Sequence, residues 1–207
     1  MNKKLFEHHI TSPIDLVTAD DGHVASHFGH TVIGLKPSQI SALAQICSTD
    51  TSPSVTAEAS RDWWPLTMHW GLAGEVPAQA AAVCRPTSTE QIAHLLSYCN
   101  EEQIPVTAAG GRSGVCGASI PLYGGVVLDT TAMQGVVSVD NESLTVEILP
   151  GTFGPDLEAH LAPMGLTVGH YPQSFDIATV GGWVACRGAG QYSTRYGKIE
   201  DMVIGLW

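Results

Sequence analysis

The sequence predicts an α+β fold of two small lobes, on three observations. Between residues 83 and 129 a capped amphipathic helix joins short apolar runs in a β-α-β order, and a glycine-dense loop follows the second run. At 136–149 the pattern changes to the alternating polarity of a hairpin. A second glycine-dense stretch, TVGGWVACRGAG, then occupies 179–190. The reading is a small parallel β-α-β lobe followed by a more antiparallel one, with a glycine-rich stretch in each.

Length and charge bound the function. A chain of 207 residues holds one large domain or two small subdomains. Twenty acidic residues against nine basic ones give a formal charge of −11, which argues against nucleic acid or an anionic membrane surface as partner. A dianionic ligand must then be held by backbone donors and a few placed cations. Beyond residue 80 the cations are Arg85, Arg112, Arg187, Arg195 and Lys198, and all but Arg85 lie in or beside the glycine-rich stretches. Five cysteines, at 47, 84, 99, 116 and 186, form no CxxC pair. An odd number without such a pair reads as a reduced, cytoplasmic chain with no disulfide framework and no zinc site. Lys3 and Lys4 are not followed by an apolar core of signal-peptide length, and no run approaches membrane-spanning length.

Residues 1–78 read as a helical and irregular leader. His8 and His9, and the spacing of His23, His27 and His30, raise the question of metal, but no carboxylate or cysteine completes a ligand set, and incidental histidines are the preferred reading. A helix is expected over 37–47, with apolar residues at 40, 43, 44 and 47 on one face. Residues 48–60, rich in Ser, Thr and Pro, read as a loop. Trp63, Trp64 and Trp70 then cluster; such a group stacks on a flavin or base, or packs a segment against a domain, and packing is favoured.

From residue 83 the periodicity sharpens. TSTE at 87–90 is a capping box, and the helix behind it sets Ile92, Leu95, Leu96 and Cys99 on one face before ending at 100–103. Strands are expected at 104–107 and 126–128, the latter running into Asp129. This places the intervening loop at the carboxyl edge of a parallel sheet, where ligands of such sheets sit. The hairpin follows, with arms at 136–139 and 144–149 around Asp140 and Asn141; Leu144, Val146 and Ile148 alternate with Thr145 and Glu147. Pro155 suits the first turn of a helix to 161. Further strands are expected at 166–168 and 202–207. The second of these ends the chain with no closing helix or turn, so the sequence reads as cut from something longer. Two lobes with facing loops would make a crevice for an extended ligand.

The loop VTAAGGRSGVCGAS at 106–119 organises this reading. Glycines at 110, 111, 114 and 117 bring backbone amides close to a ligand with no Cβ in the way, and phosphate or pyrophosphate is the ligand such loops most often cradle.

Three segments carry a family resemblance: RPTSTEQIAHLLSYCNEEQIPVTAAGGRSGVCGAS, GHYPQSFDIATVGGWVACRGAG and YSTRYGKIEDMV. In order and spacing they resemble the FAD-binding, PCMH-type domain of the vanillyl-alcohol oxidase flavoprotein family, nearest to alkyldihydroxyacetonephosphate-synthase-like and glycolate-oxidase-like members. RDWWP at 61–65 resembles a segment that precedes the domain in the synthase-like branch. The resemblance implies a leader over 1–78 and a PCMH-type domain over 79–207, incomplete at the C-terminus, with FAD held between two subdomains.

It also implies site residues. Ala108, Ala109, Gly110, Gly111, Arg112, Ser113 and Gly114 match the pyrophosphate loop. Gln173, Ser174, Phe175, Asp176, Ile177, Ala178 and Thr179 match a second contact segment, with Gly181 and Gly182 letting the backbone lie against the cofactor. Arg187, Gly188, Ala189 and Gly190 match a third, and Ile199 falls near the adenine end. Many family members attach FAD through a histidine near the pyrophosphate loop. Here Arg112 and Ser113 stand in its place and no histidine lies between 95 and 159, so the expected cofactor is non-covalent FAD. The Arg112 side chain either swings to solvent or adds a cation to the pyrophosphate, while Arg187 is the favoured cation near the cofactor. His170 either approaches the flavin or bonds the loop backbone. No metal is expected, and no catalytic residue is assigned.

The implied function is the FAD-binding portion of an oxidase or dehydrogenase acting on a hydroxy acid or related alcohol, a small-molecule substrate bound by a further C-terminal domain. The alternative is a non-catalytic FAD-binding, nucleotide-binding or interaction module completed by a partner chain. A face left uncovered by that further domain gives the chain a route to dimerise.

Overall fold

A strand with no solvent-facing side, VVLD at 126–129, sets the layout of the first half of the chain. The computed structural model describes residues 14–17, 24–29 and 31–206, which fall into two compact units divided between Ala132 and Met133.

In the first unit β1 (Ala25–Ser26) precedes α1 (Pro37–Ile46), β2 (Ser48–Asp50), α2 (Pro53–Ala59) and α3 (Pro65–Leu72). Then come β3 (Glu75–Val76), β4 (Ala82–Arg85), α4 (Thr89–Glu101), β5 (Val106–Ala109) and β6 (Val126–Asp129). The main sheet has the order β2-β4-β6-β5. Strands β4, β6 and β5 are parallel, with Ala82 and Val106 both in register with Val126, and β2 runs antiparallel at the edge. Helix α4 is the crossover that joins the parallel strands β4 and β5, with β6 between them in the sheet. Strands β1 and β3 form a separate parallel pair.

Alternation along the strands assigns the two faces. Ala82, Cys84, Val126 and Leu128 pack with Leu43 of α1 and Leu95 and Cys99 of α4. Val83, Val127 and Ala109 pack on the opposite face with Ala59 of α2. Both faces are covered, which is why β6 reads as an unbroken apolar run. The same period of two carries Arg85 and Asp129 onto the α2 face at the carboxyl edge. Burial pushes the thiols of Cys84 and Cys99 up to about 12 and about 11, so both stay protonated and act as small apolar groups.

Several expectations change here. Residues 48–60 are not a loop: β2 pairs with β4, and Pro53 opens α2 at its first turn. The serines and threonines that suggested a loop serve as local bonding groups, with Asp50 accepting from the Ser52 amide at 2.8 Å and the Ser60 hydroxyl donating to the Thr56 carbonyl at 2.6 Å. The N-cap of α4 is Ser88, one residue later than the capping box implied, and Leu96 is exposed while Leu95 and Cys99 are buried. Strand β5 starts two residues later than expected, at Val106.

The second unit opens with the hairpin β7 (Val136–Asp140) and β8 (Thr145–Ile148). Helices α5 (Gly154–Leu161), α6 (Val180–Cys186), α7 (Ser193–Tyr196) and α8 (Ile199–Met202) follow. Leu157, Leu161, Ala178, Trp183 and Ile199 form its core, with Val136, Val139, Val146 and Ile148 of the hairpin packed against it. Leu144 does not join that face: it is exposed and left-handed, at φ +55°, in the turn that Asp140 organises by accepting the Glu142 and Ser143 amides. The strand expected at 166–168 is extended without a ladder, and the Val168 amide donates to Glu158 at 3.0 Å. The strand expected at 202–207 is replaced by α8 and an extended tail, Trp207 lying outside the described residues. Lys198 and Asp201 cap α8 through a 2.8 Å bond, a polar pairing that the apolar pattern of 202–207 hides.

Leu95 is fully buried between α4 and the sheet. Leu95→Ala should cost about 2–5 kcal/mol of stability, read as a lower urea midpoint at unchanged slope. A loss within about 0.5 kcal/mol, the surface-substitution range, would show that this helix face is not core.

Candidate functional site

The glycine loop leaves β5 at Ala109, whose carbonyl accepts from the Thr130 hydroxyl at 3.1 Å. Among the described residues, the amides of Gly111, Arg112, Ser113 and Gly114 donate to no protein acceptor. Four successive free amide donors, with Arg112 the one large side chain among them, are the kind of backbone set that receives an anion. Arg112 sits in its middle with φ +51°, a left-handed conformation that costs a residue with a Cβ about 1–2 kcal/mol.

The loop is braced by the RDWWP segment at 61–65, ahead of α3. The Trp63 amide donates to the Arg112 carbonyl at 3.2 Å. Asp62 is fully buried, and its Oδ1 accepts the Trp64 amide at 3.0 Å. Its Oδ2 has no hydrogen-bond partner and stands 4.0 Å from the point where a Cβ on Gly114 would sit. The Trp64 ring lies 3.3 Å from the corresponding point on Gly117, whose φ is +78°. A side chain at Gly117 would therefore meet both the ring and an unfavourable backbone. Trp64 also packs edge-on against Trp70 at 5.4 Å, and Trp70 stacks on His27 at 4.0 Å. The tryptophan cluster is a packing device. His27 bonds Glu75 at 2.7 Å, while His8, His9, His23 and His30 lie outside the described residues. Among the described residues no group of three His, Cys, Asp or Glu side chains is placed to hold a metal.

Arg112 does not swing out to solvent: it is only partly exposed. Its side chain lies in a pocket of about 300 Å³ with Ser54, Val55, Glu58 and Ala59 of α2 and Arg85 of β4. Its Nε is buried without a hydrogen-bond partner. Burial holds the guanidinium below its ordinary pKa, and the carboxylates of Asp129 and Glu58 draw it partly back. Arg85 donates to Asp129 at 3.2 Å, and Asp129 also accepts the Thr131 amide at 3.0 Å. Asp62, Arg85 and α2 were not among the residues picked from the sequence. RDWWP was the visible signal for Asp62; Arg85 was visible only as the cation outside the glycine-rich stretches.

The second group of expected contacts lies in the second unit, and much of it has work inside the fold. Residues 179–190 are mainly helix: Thr179 caps α6, is fully buried and accepts the Gly182 amide at 3.3 Å. Gly181 donates to the Pro150 carbonyl at 2.8 Å, and a Cβ there would stand 2.8 Å from the proline ring. Its bare α-carbon answers to that contact. A Cβ on Gly190 would strike the backbone of Tyr171 at 2.7 Å. Ile199 is a core side chain and not a surface one. Phe175 lies within a one-turn 3-10 helix, Phe175–Ile177, and stacks on Trp183 at 6.0 Å; Ala178 is buried in the core. Gln173, Asp176 and Ala189 are exposed, and Ser174 and Ile177 are partly so. Arg187, expected as the cation for the cofactor, ends α6 at φ +52° and pairs with Glu200 at 2.5 Å on the surface. Arg187 and Lys198 together hold the Glu200 carboxyl down to about 2.

His170 is 1% exposed and neither ring nitrogen has a hydrogen-bond partner, so it does not bond the loop backbone. It packs edge-on to Trp183 at 4.9 Å, and a Cβ on Gly188 would lie 3.7 Å from its Nε2. Burial lowers its pKa from 6.5 and keeps the ring neutral.

Residues 80–206 match the protein-family model for the FAD binding domain. The chain is 41% identical over 129 residues to an uncharacterized FAD-linked oxidoreductase, YgcU, of Escherichia coli K12, covering 61% of this chain and 26% of that one. It is 33% identical over 125 residues to glycolate oxidase subunit GlcD of Bacillus subtilis, covering 60% and 27%. A solved alkyldihydroxyacetonephosphate synthase superposes on 92% of this chain and 35% of its own, with a TM-score of 0.80 at 25% identity. The chain thus spans about a quarter of the curated relatives it matches. The match starts at residue 80, so α2 and RDWWP, which brace the loop, lie ahead of it. Among the described residues no helix is long and apolar enough to cross a membrane.

Burial raises the Asp62 carboxyl above its ordinary 3.8, against the amides of Trp64 and Gly117 and the Arg112 charge, which favour its ionised form. Ionising it therefore costs the folded state. Its contribution to stability is fully present below 3.8 and is lost as pH rises through 3.8 towards the raised value. Asp62→Asn should flatten the stability profile over that interval, measured by urea unfolding at a series of pH values. A profile identical to that of the unsubstituted chain would assign the titration to another group.

Proposed function

We propose, from the premise that this chain belongs to the family of FAD-binding domains, that it is the cofactor-holding part of an FAD-linked oxidoreductase acting on a hydroxy acid or a related alcohol. The observation that carries the reading is the row of four free amides at 111–114, braced from behind by Asp62 and Trp63. A diphosphate carries more acceptor oxygens than this row has donors, and the loop presents its amides without needing to rearrange. The substrate class rests on GlcD, whose name states glycolate oxidation. Because the chain spans about a quarter of such relatives, substrate oxidation is proposed for a whole protein of that kind and not for these residues alone.

The residues divide the work by chemistry. Gly111, Arg112, Ser113 and Gly114 would donate backbone hydrogen bonds to the diphosphate, and the Ser113 hydroxyl adds a donor. In the second unit Gln173, Ser174 and Asp176 are the polar members of the matching segment whose side chains reach the surface. Thr179, Gly181 and Ile199 hold that segment in shape from inside. When bound, the flavin supplies the hydride-accepting chemistry. The attachment is non-covalent in this reading, because Arg112 and Ser113 stand at the loop and no histidine stands between 95 and 159.

Purified protein should show the absorption bands of oxidised flavin and release them to the supernatant on acid precipitation. Colour retained in the pellet would contradict non-covalent binding. Gly111 is buried in the loop, so Gly111→Val should abolish flavin retention with little change in far-ultraviolet circular dichroism. Full retention by that variant would remove the loop from the binding surface.

A further inference from the structure

The pocket on the α2 side of the loop has features that the free amides do not explain. Two arginines, Arg85 and Arg112, line it, and the charge of Arg61 also acts on Arg112. Arg61, 4% exposed, pairs with Glu58 at 2.5 Å and donates to the Ile14 carbonyl at 2.7 Å. Arg85 pairs with Asp129 at 3.2 Å. Among the described residues Arg112 makes no ion pair, and its Nε is buried without a partner. The carboxylates that bear on it are already engaged: Glu58 by Arg61, Asp129 by Arg85 and the Thr131 amide, and Asp62 by the Trp64 amide. The charges of Arg85 and Arg61 disfavour the charged form of Arg112, and the backbone of Arg112 carries the added cost of its left-handed conformation. Desolvating a guanidinium with no counter-charge is unfavourable by itself. Arg112 lines a space of about 300 Å³ together with Ser54, the half-exposed Arg85 and Glu58, whose carboxylate is already paired with Arg61.

We propose that this pocket is an anion site in its own right, taking a phosphate group through the guanidinium groups of Arg112 and Arg85. Planar guanidinium forks suit a tetrahedral oxyanion, and the bonds are charge-assisted. The site is local by design of the chain, because a net charge of −11 repels anions everywhere else on average. Two sources carry this chemistry: the diphosphate of a bound dinucleotide reaching past the loop, or a free phosphate or phosphomonoester.

The test is calorimetric titration of inorganic phosphate into the 207-residue chain at low ionic strength, compared with Arg112→Gln, Arg85→Gln and, as an exposed charge-matched control, Lys36→Gln. Saturable binding is expected, weakened about tenfold or more in the first two variants and unchanged in the third, as fits the loss of a charge-assisted bond. Arg112→Lys should recover part of the affinity, and thermal melts in phosphate-free buffer establish that each variant folds. If prior saturation with FAD abolishes phosphate binding, the source is the cofactor's diphosphate; if binding persists, it is a free phosphate. Either result supports the site. Absence of phosphate binding, or equal weakening in all three variants, overturns it. Phosphate binding by a chain that takes up no FAD would leave this site standing and overturn the flavin reading instead.

Discussion

The bond from the Trp63 amide to the Arg112 carbonyl, with the buried Asp62 carboxyl beside it, is the constraint on which the rest of the candidate site depends. A glycine-rich loop left to itself samples many conformations, and ordering it costs more entropy per residue than ordering any other chain segment. Here RDWWP supplies the order from outside the loop. Its backbone occupies the carbonyl of Arg112, its carboxyl sits behind Gly114, and the Trp64 ring fills the space beside Gly117. What remains pointing outward is a row of amides. The buried carboxyl carries a desolvation cost that an apolar residue would not. The price is coherent with a device that fixes backbone donors, because only a strong acceptor competes with water for the Trp64 amide.

The sheet explains why this loop stands where it does. Strands β4 and β5 run parallel to β6, which is buried on both faces as strands of such sheets are, so their carboxyl ends share one edge. Period-two alternation then delivers Arg85 and Asp129 to the α2 face of that edge. The loop leaves β5 at the same end. Charge and backbone donors are therefore gathered by strand register alone, before any side chain chooses a rotamer.

Much of the first unit could be read from the sequence. The helix face of Leu95 and Cys99, the strand ending at Asp129 and the loop between them follow from period and glycine placement. The helix over 53–59 was hidden because Ser, Thr and Pro signal loops, whereas here Pro53 starts a helix and the Thr56 and Ser60 hydroxyls donate to carbonyls one turn back. RDWWP marked the segment but not the role of Asp62, since a carboxyl between Arg61 and Trp63 declares nothing until burial and the free Oδ2 are seen. In the second unit the glycines misled in a different way. Gly181 and Gly190 are required by the approach of Pro150 and Tyr171, which lie about thirty and twenty positions away along the chain, and no local reading reveals such contacts. Arg187 likewise looked free until Glu200 was found beside it. Short extended segments such as 166–168 carry the composition of strands, but only a ladder partner makes a strand, and Val168 finds a side chain instead.

The central claim is that the amides of residues 111–114 receive the cofactor's diphosphate. The most direct measurement is a two-dimensional amide NMR spectrum of isotope-labelled protein, recorded with and without FAD. The account predicts that the resonances of Gly111, Arg112, Ser113 and Gly114 move most in the first unit, in the downfield direction expected when an amide gains a charged acceptor. FAD binding that leaves those four resonances in place would contradict it.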